Sequence, residues 1–482
     1  MSQEFDVIVI GAGAVGENVA DRAVQGGLTV ALVEAELVGG ECSYWACMPS
    51  KALLRAGEVV HAAKTVDGAA QAVTGDIDVA AVLKRRNSFT SDWNDSGQVD
   101  WVRGAGIDLV RGHAVFTGVK ELSVTAGDGT VSKLTARHAV VVSTGSTALL
   151  PDIPGLAEAA PWTSREATSA QSIPERFTVI GGGVVACELA TAYATLGSRV
   201  TVVSRGALLA NQEPFAGEAV AESLGAMGVE LHLGASPASV ERRPDGVVVT
   251  TLDDGTAIEG DELLVATGRL PRTGDLGLET VGLEPGEWLR TDDTLLVLGS
   301  DGKPLEGEWL YATGDVNHRA LLTHQGKYQA RAAGDVVAAR AKGEPVDDAP
   351  WGRHVATADH QSVPQVTFTD PQVASVGLTA AAAEKAGHSI RVVDYEIGNV
   401  AGASVHTDGY QGTARAVVDE ERKVLLGVTF VGPDVQELLH SATVAVVGEV
   451  PLSRLWHAVP SYPTISEVWL RLLETYGRDG SA

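Results

Sequence analysis

At 482 residues the chain exceeds one typical core and points to two to four packed domains; 45% hydrophobic and 20% charged residues, with 55 glycines lacking a three-residue period, exclude collagen-like and disordered classes. Lys plus Arg number 36 against 62 for Asp plus Glu, a formal charge of −26, which disfavours nucleic acid and anionic membrane as partners and reads as an acidic solubilising surface. No run reaches the ~20 apolar residues of a membrane span, and Met1 to Gly11 lacks a basic start and cleavage pattern, so a cytoplasmic protein is expected.

The first element is a buried-strand pattern from Asp6 to Ile10, which runs into the loop Gly11-Ala-Gly13-Ala-Val-Gly16 and a helix with apolar spacing over Asn18 to Val24. Glycines so spaced let the backbone approach a pyrophosphate, and the free N–H groups and dipole of the helix start favour its charge. A second strand, Thr29 to Val33, ends at Glu34, placed for a ribose diol. Glycine-rich turns also arise from packing alone; here the strand, loop, helix and strand order selects dinucleotide binding. Next comes Gly39-Gly-Glu-Cys42-Ser-Tyr-Trp-Ala-Cys47-Met-Pro-Ser-Lys51, with two of the three cysteines, and then an apolar strand at Val140 to Ser143 ending in Thr144-Gly145.

The first pattern returns as strand Phe177 to Ile180, loop Gly181-Gly-Gly183-Val-Val-Ala186, helix Glu188 to Leu196 and strand Arg199 to Val203. The position equivalent to Glu34 is Ser204, followed by Arg205. An acid there would repel a 2′-phosphate whereas Ser and Arg accept one, so NADPH is expected in preference to NADH; the alternative for Arg205 is a solvated surface charge. Strand-like runs at Glu262 to Ala266 and Trp309-Leu-Tyr-Ala-Thr-Gly-Asp315 close with Thr267-Gly268 and with a carboxylate placed to accept a hydroxyl hydrogen bond. Arg415 to Val418 and Val424 to Phe430 read as strands, and Val435 to Val447 as a helix.

So few cysteines, two of them together, argue against an extracellular disulfide framework and for redox or metal chemistry at one place. Zinc is the rival, but no second Cys pair exists and His61 lies too far along for a familiar ligand grouping, so no metal is expected. Residues five apart on a regular helix point about 140° apart. A Cys42–Cys47 disulfide therefore needs Cys42 ahead of the helix or a distorted first turn. Pro49 suits a first turn, and Lys51, four residues past Cys47, shares its face, where a cation and a helix N-terminus both favour a thiolate.

These motifs resemble the flavoprotein pyridine nucleotide-disulfide oxidoreductases, the family of dihydrolipoamide dehydrogenase, glutathione reductase and mercuric reductase. The resemblance runs through Gly11 to Gly16, Glu34, Cys42 to Cys47 with Pro49-Ser50-Lys51, Gly181 to Glu188, Ala266 to Arg269, Gly314-Asp315, Leu322-Thr-His324, and Phe368 to Pro371 before Val376 to Thr379. It implies an α/β fold with two Rossmann-like domains for FAD and NAD(P) and a C-terminal α+β interface domain. The expected bounds are 1–150 for the first part of the FAD domain, 151–275 for the NAD(P) domain, 276–349 for a segment completing the FAD site, and 350–482 for the interface domain of a homodimer. Hydride would pass from the nicotinamide to flavin N5 and on to the disulfide through Cys47, leaving Cys42 to exchange with substrate. Lys51 and Glu188 would pair beside the flavin, Asp315 would hold the FAD ribityl chain, and Thr323 would approach the flavin through its backbone. Gly40, Ala114, Thr144, Gly145, Leu322, Gly268 and Arg269 join the cofactor-binding set. Cys187 has no matching role and is expected to be a buried structural thiol.

The chain departs from the family at its acid/base. Disulfide reductases of this type bring a histidine from the partner subunit, before a proline and five residues ahead of a glutamate; here the segment reads Tyr462-Pro463-Thr-Ile-Ser-Glu467. A phenol of pKa ~10 is a poor base at neutral pH, and losing a positioned base costs a factor of about 100 to 10,000. His457 is the substitute, although five residues away it fits a role in the fold better. Mercuric reductase also has tyrosine there, but its extra C-terminal cysteine pair is missing, since nothing after Cys187 is cysteine. Tyr44-Trp45 between the thiols either shapes an aromatic pocket or packs. The expected activity is NADPH-dependent reduction of a disulfide or other thiol-reactive small molecule, with a quinone-type reductase acting from the flavin, or a flavoprotein subunit of a multienzyme assembly, as alternatives.

Overall fold

The computed structural model describes residues 3–478; Met1 and Ser2, where the first expected domain begins, and residues 479–482, where the last one ends, lie outside it. Among the described residues no helix is long and apolar enough to cross a membrane. The chain divides into two compact units, one of residues 1–49, 87–149 and 268–360, the other of residues 50–86, 150–267 and 361–482.

The first unit is built on a seven-stranded sheet. Strand β1 (Gln3–Ile10) lies between β2 (Val30–Glu34) and the strand Val131–Val142, parallel to both. Asp108–Arg111 extends the parallel side, Leu310–Ala312 pairs parallel to the end of Val131–Val142, and Glu121–Thr125 with His113–Gly118 continue antiparallel. Val7 to Ile10 is buried on both faces, which a parallel sheet covered by helices requires of its central strand. Helix α1 (Ala14–Gln25) and the helix Thr323–Lys342 cover one face through Val19, Ala23, Ala333 and Val336. Ile8, Phe116 and Trp309 fill the other.

The second unit holds a four-stranded parallel sheet in the order Glu230–Leu233, Arg199–Ser204, Arg176–Ile180 and Glu262–Val265, with the helix Val184–Thr195 packed on it. A three-stranded antiparallel sheet covers Pro237–Arg242, Val248–Leu252 and Ala257–Gly260. Its C-terminal part is a five-stranded antiparallel sheet, Pro364–Thr367, Gln372–Gly377, Val424–Gly432, Thr413–Asp419 and Ile390–Glu396, backed by the helices Leu439–Val447 and Val468–Tyr476. The architecture is thus the expected α/β fold with an α+β end.

Both glycine-loop helices start earlier than the sequence suggests. They open at Ala14 and Val184, directly after extended caps at Gly13 and Gly183, so the last residues of each loop are already helical. Gly16 in the first helix and the β-branched Val184 and Val185 in the second have weak helix propensity and hide that start in sequence. The expected helix from Val435 to Val447 is instead a 3₁₀ turn, Val435–Leu438, followed by the α-helix Leu439–Val447, a tightening common at helix starts.

Phe430 is fully buried in the central strand of the five-stranded sheet, edge-on to Trp469 at 5.8 Å. Phe430→Ala is expected to cost about 3–5 kcal/mol, read as an earlier urea transition in tryptophan fluorescence.

Candidate active site

In the first unit, three segments converge on the first glycine loop. The Gly39 N–H donates to Ala12 O at 2.7 Å, and Gly40 follows at φ 60° with its α-carbon so near the loop that a Cβ would lie 2.7 Å from Gly13 Cα. That position, left-handed and crowded by backbone, admits only glycine without displacement. Gly11 and Gly16 lie in the same loop, against each other. Glu34 ends β2 and accepts from the Ala12 and Glu36 N–H groups, each at 2.7 Å. Its burial raises its pKa, against which those two hydrogen bonds act. Ala114 is buried in the core of its strand, so a cofactor contact there falls to its backbone. Thr144 donates through its hydroxyl to Arg272 O at 2.7 Å, and Gly145 beside it is left-handed. Asp315 accepts from the Ser146 hydroxyl, which in turn accepts from Arg269 Nε. Arg269, with its Nη2 on Ser146 O at 2.8 Å, therefore belongs to the Asp315 cluster, next to Gly268.

The cysteines are separated by a break in the helix. Cys42 lies on the short helix α2 (Gly40–Tyr44); Trp45 leaves helical space at φ −138°, ψ 4°; and Cys47 opens α3 (Cys47–Lys64), with Pro49 in its first turn. Cys42 thus precedes the helix, one of the two arrangements a disulfide allows. Both are free thiols in this structure. A hydrogen bond with Cys47, and then burial, push the Cys42 thiol well above its usual range, while Thr323 and Lys327 oppose the shift. Cys47 Sγ lies 3.3 Å from Thr323 Oγ1, just after Leu322 at the head of the helix Thr323–Lys342. That side-chain contact goes beyond the backbone role expected for Thr323, and no local pattern announces it. Tyr44 is buried, donates to Val38 O at 3.1 Å, and its own carbonyl accepts from Trp93 Nε1 at 3.2 Å. It packs, rather than lining a pocket.

In the second unit, Lys51 Nζ pairs with Glu188 Oε2 at 2.7 Å, Glu188 Oε1 accepts the Phe368 N–H at 2.9 Å, and the ammonium lies 4.8 Å from the centre of the Phe368 ring. The second loop brings Gly181, Gly183 and the buried Ala186 together; a Cβ on Gly183 would meet nothing, which leaves room for a pyrophosphate. Ser204 is buried with its hydroxyl against Gly182, and Arg205 beyond it is exposed. Cys187 is buried, and burial pushes its pKa up to about 12. Near the C-terminus Tyr462 is 77% exposed and His457 is exposed. Glu467 is buried, with Oε2 lacking a hydrogen-bond partner among the described residues, so neither Tyr462 nor His457 engages it there.

Two nucleotide-type sheets, one mixed and one parallel, each with a glycine loop leading into a helix, and a Cys-x4-Cys pair at the head of a helix are the arrangement of a redox enzyme that combines two dinucleotides with a dithiol. The chain belongs to the pyridine nucleotide-disulphide oxidoreductase family, whose profile matches residues 5–340, and the dimerisation domain of that family matches residues 363–472. It is similar to dihydrolipoyl dehydrogenase of Halobacterium salinarum, 33% identical over 98% of this chain and 96% of that one. It is 31% identical to mercuric reductase of Lysinibacillus sphaericus over 98% of this chain and 83% of that one. Among solved structures, the Cu(II) complex of the HOCl-induced flavoprotein disulfide reductase RclA from Escherichia coli shares the fold at a TM-score of 0.82 and 22% identity, over 98% of this chain and 99% of that one. The protein is accordingly a disulfide-reductase-like oxidoreductase of an FAD-dependent family that also uses a pyridine nucleotide. Its residues fit such a cofactor, because each Glu34 oxygen keeps a lone pair for a ribose hydroxyl and the first loop closes around Gly13 with backbone alone. Bound flavin supplies the two-electron relay between nicotinamide and dithiol.

After mild reduction, iodoacetamide is expected to label Cys47, and more slowly the proton-holding Cys42, in the native protein, and Cys187 only after denaturation, because Cys187 is buried out of the reagent's reach while the other two are half-buried. Peptide mass mapping reads the outcome.

Proposed function

We propose that the protein is a homodimeric, NADPH-dependent reductase that passes electrons through FAD and the Cys42/Cys47 pair to a disulfide or other thiol-reactive small molecule. The observation that carries this reading is the helix break at Trp45, which sets the two thiols in hydrogen-bond contact with Thr323 beside Cys47. Cys47 is the flavin-side thiol and Cys42 the exchanging one, the thiol that holds its proton in the reduced pair. Lys51, fixed by Glu188, sits beside the flavin; Glu34 holds the adenosine ribose and Asp315 the ribityl chain. Residues 1–150 and 276–349 form the FAD domain, 151–275 the NADPH domain and 350–482 the interface domain. Exposed Val405, Val444, Val459 and Tyr462 in that last region suit a face covered by a second copy, with Tyr462 reaching the neighbour's dithiol and the buried Glu467 supporting the same segment. The acidic composition and single cysteine pair suit the reducing cytoplasm.

Anaerobic titration with NADPH is expected to consume two electron pairs and to raise a long-wavelength band from a thiolate beside oxidised flavin. Cys42→Ser should then lower turnover with a disulfide substrate by about 100-fold or more. Full turnover in that variant, or indifference to thiol alkylation, assigns the reaction to the flavin alone, as in a quinone reductase, and overturns the proposal.

Arg205→Glu tests the coenzyme. It is expected to raise KM for NADPH about tenfold while leaving KM for NADH near its starting value, since an acid repels only the 2′-phosphate.

A further inference from the structure

Thr323, whose hydroxyl lies 3.3 Å from Cys47 Sγ, opens the helix Thr323–Lys342. Lys327 follows one turn later on the same face, and further along the helix Asp335 accepts from Arg22 Nε of α1 at 3.0 Å. Gly326 lets this helix descend on α1, since a Cβ there would lie 2.5 Å from Val15 Cγ2 and 3.2 Å from Gly314 Cα. Two residues past Val15, Glu17 presents an Oε1 that is fully buried and has no hydrogen-bond partner among the described residues. A half-buried lysine, one turn from the threonine that touches the dithiol, thus stands at a helix contact that also buries an unpaired carboxyl.

We propose that Lys327 is a positioning residue for the dithiol, its ammonium lying within electrostatic reach of both Cys42 and the buried Glu17 carboxyl and supplying from the same subunit the positive charge that draws the exchanging thiol towards thiolate. This rests on the assignment of Cys42 as the exchanging thiol. The signs agree. Lys327 pulls the Cys42 pKa down, against the hydrogen bond with Cys47 and burial. It also pulls Glu17 down, while burial, with Glu34 adding to it, raises that carboxyl to about 7. The groups facing this cluster are Cys47 on α3, Thr323 beside Lys327, Glu34 on β2, and Tyr44 on α2, whose phenol burial keeps neutral with a pKa of about 12. Below about pH 7 Glu17 is protonated and Lys327 acts unopposed; above it the carboxylate offsets part of the lysine's charge, so removing the lysine and removing the carboxyl are expected to move Cys42 in opposite directions.

The test is the pH dependence of Cys42 alkylation by iodoacetamide in the FAD-loaded enzyme, reduced with dithiothreitol and desalted, with the site assigned by peptide mass. Lys327→Met is expected to slow the reaction about three- to tenfold at mildly alkaline pH and to move the profile to higher pH. Lys327→Arg should restore it, and Glu17→Gln should move it to lower pH. An unchanged profile in Lys327→Met, or shifts of the same sign in Lys327→Met and Glu17→Gln, overturns the proposal; should Lys327→Met fail to fold, Lys327→Gln is read by the same criteria. No substrate or nicotinamide enters this measurement. Normal turnover by Cys42→Ser would therefore sink the functional reading while these profiles still decide the role of Lys327.

Discussion

The interruption of the helix between Cys42 and Cys47 is the constraint on which the site depends. A continuous helix would carry the two thiols to different faces, about 140° apart. Trp45 leaves helical space, Tyr44 is anchored in the core through Val38 and Trp93, and α2 ends one residue short of the break. Cys42 and Cys47 then belong to two helices that meet, and a hydrogen bond between the thiols becomes possible. The buried Tyr44 is thus a structural peg, and its value lies in holding the break in place.

Around the dithiol the first unit arranges dipoles and charges from segments far apart in the chain. Thr323 arrives from a helix more than two hundred residues downstream, and Arg272 Nη2 bonds Glu41 on α2 at 2.8 Å. The hydrogen bond and burial keep the proton on Cys42, so the reduced pair is asymmetric before any substrate arrives. Such asymmetry suits a pair in which one sulfur faces the flavin and the other meets substrate.

The buried carboxylates differ in how they are satisfied. Glu188 has a lysine and a backbone N–H, and Glu34 has two backbone N–H groups, so each is compensated where it lies. Among the described residues, Glu17 and Glu467 each keep one buried oxygen without a hydrogen bond. At Glu467, neither the exposed Tyr462 five positions earlier nor the exposed His457 bonds that oxygen.

Both strand, glycine-turn and helix units, the place of Glu34 at a strand end, the closely spaced Cys42 and Cys47 and the tyrosine at position 462 were visible in the sequence, because each is a local pattern or a fixed spacing of residues with distinctive chemistry. Family membership followed from the same patterns. Helix starts inside the loops were masked by the weak helix propensity of Gly16 and of the β-branched Val184 and Val185. Only the folded chain brought Thr323 to Cys47 and gathered Ser146 and Arg269 at Asp315. Those partners come from distant segments, and the periodicities of a sequence record which face of an element is buried, not which other element will cover it.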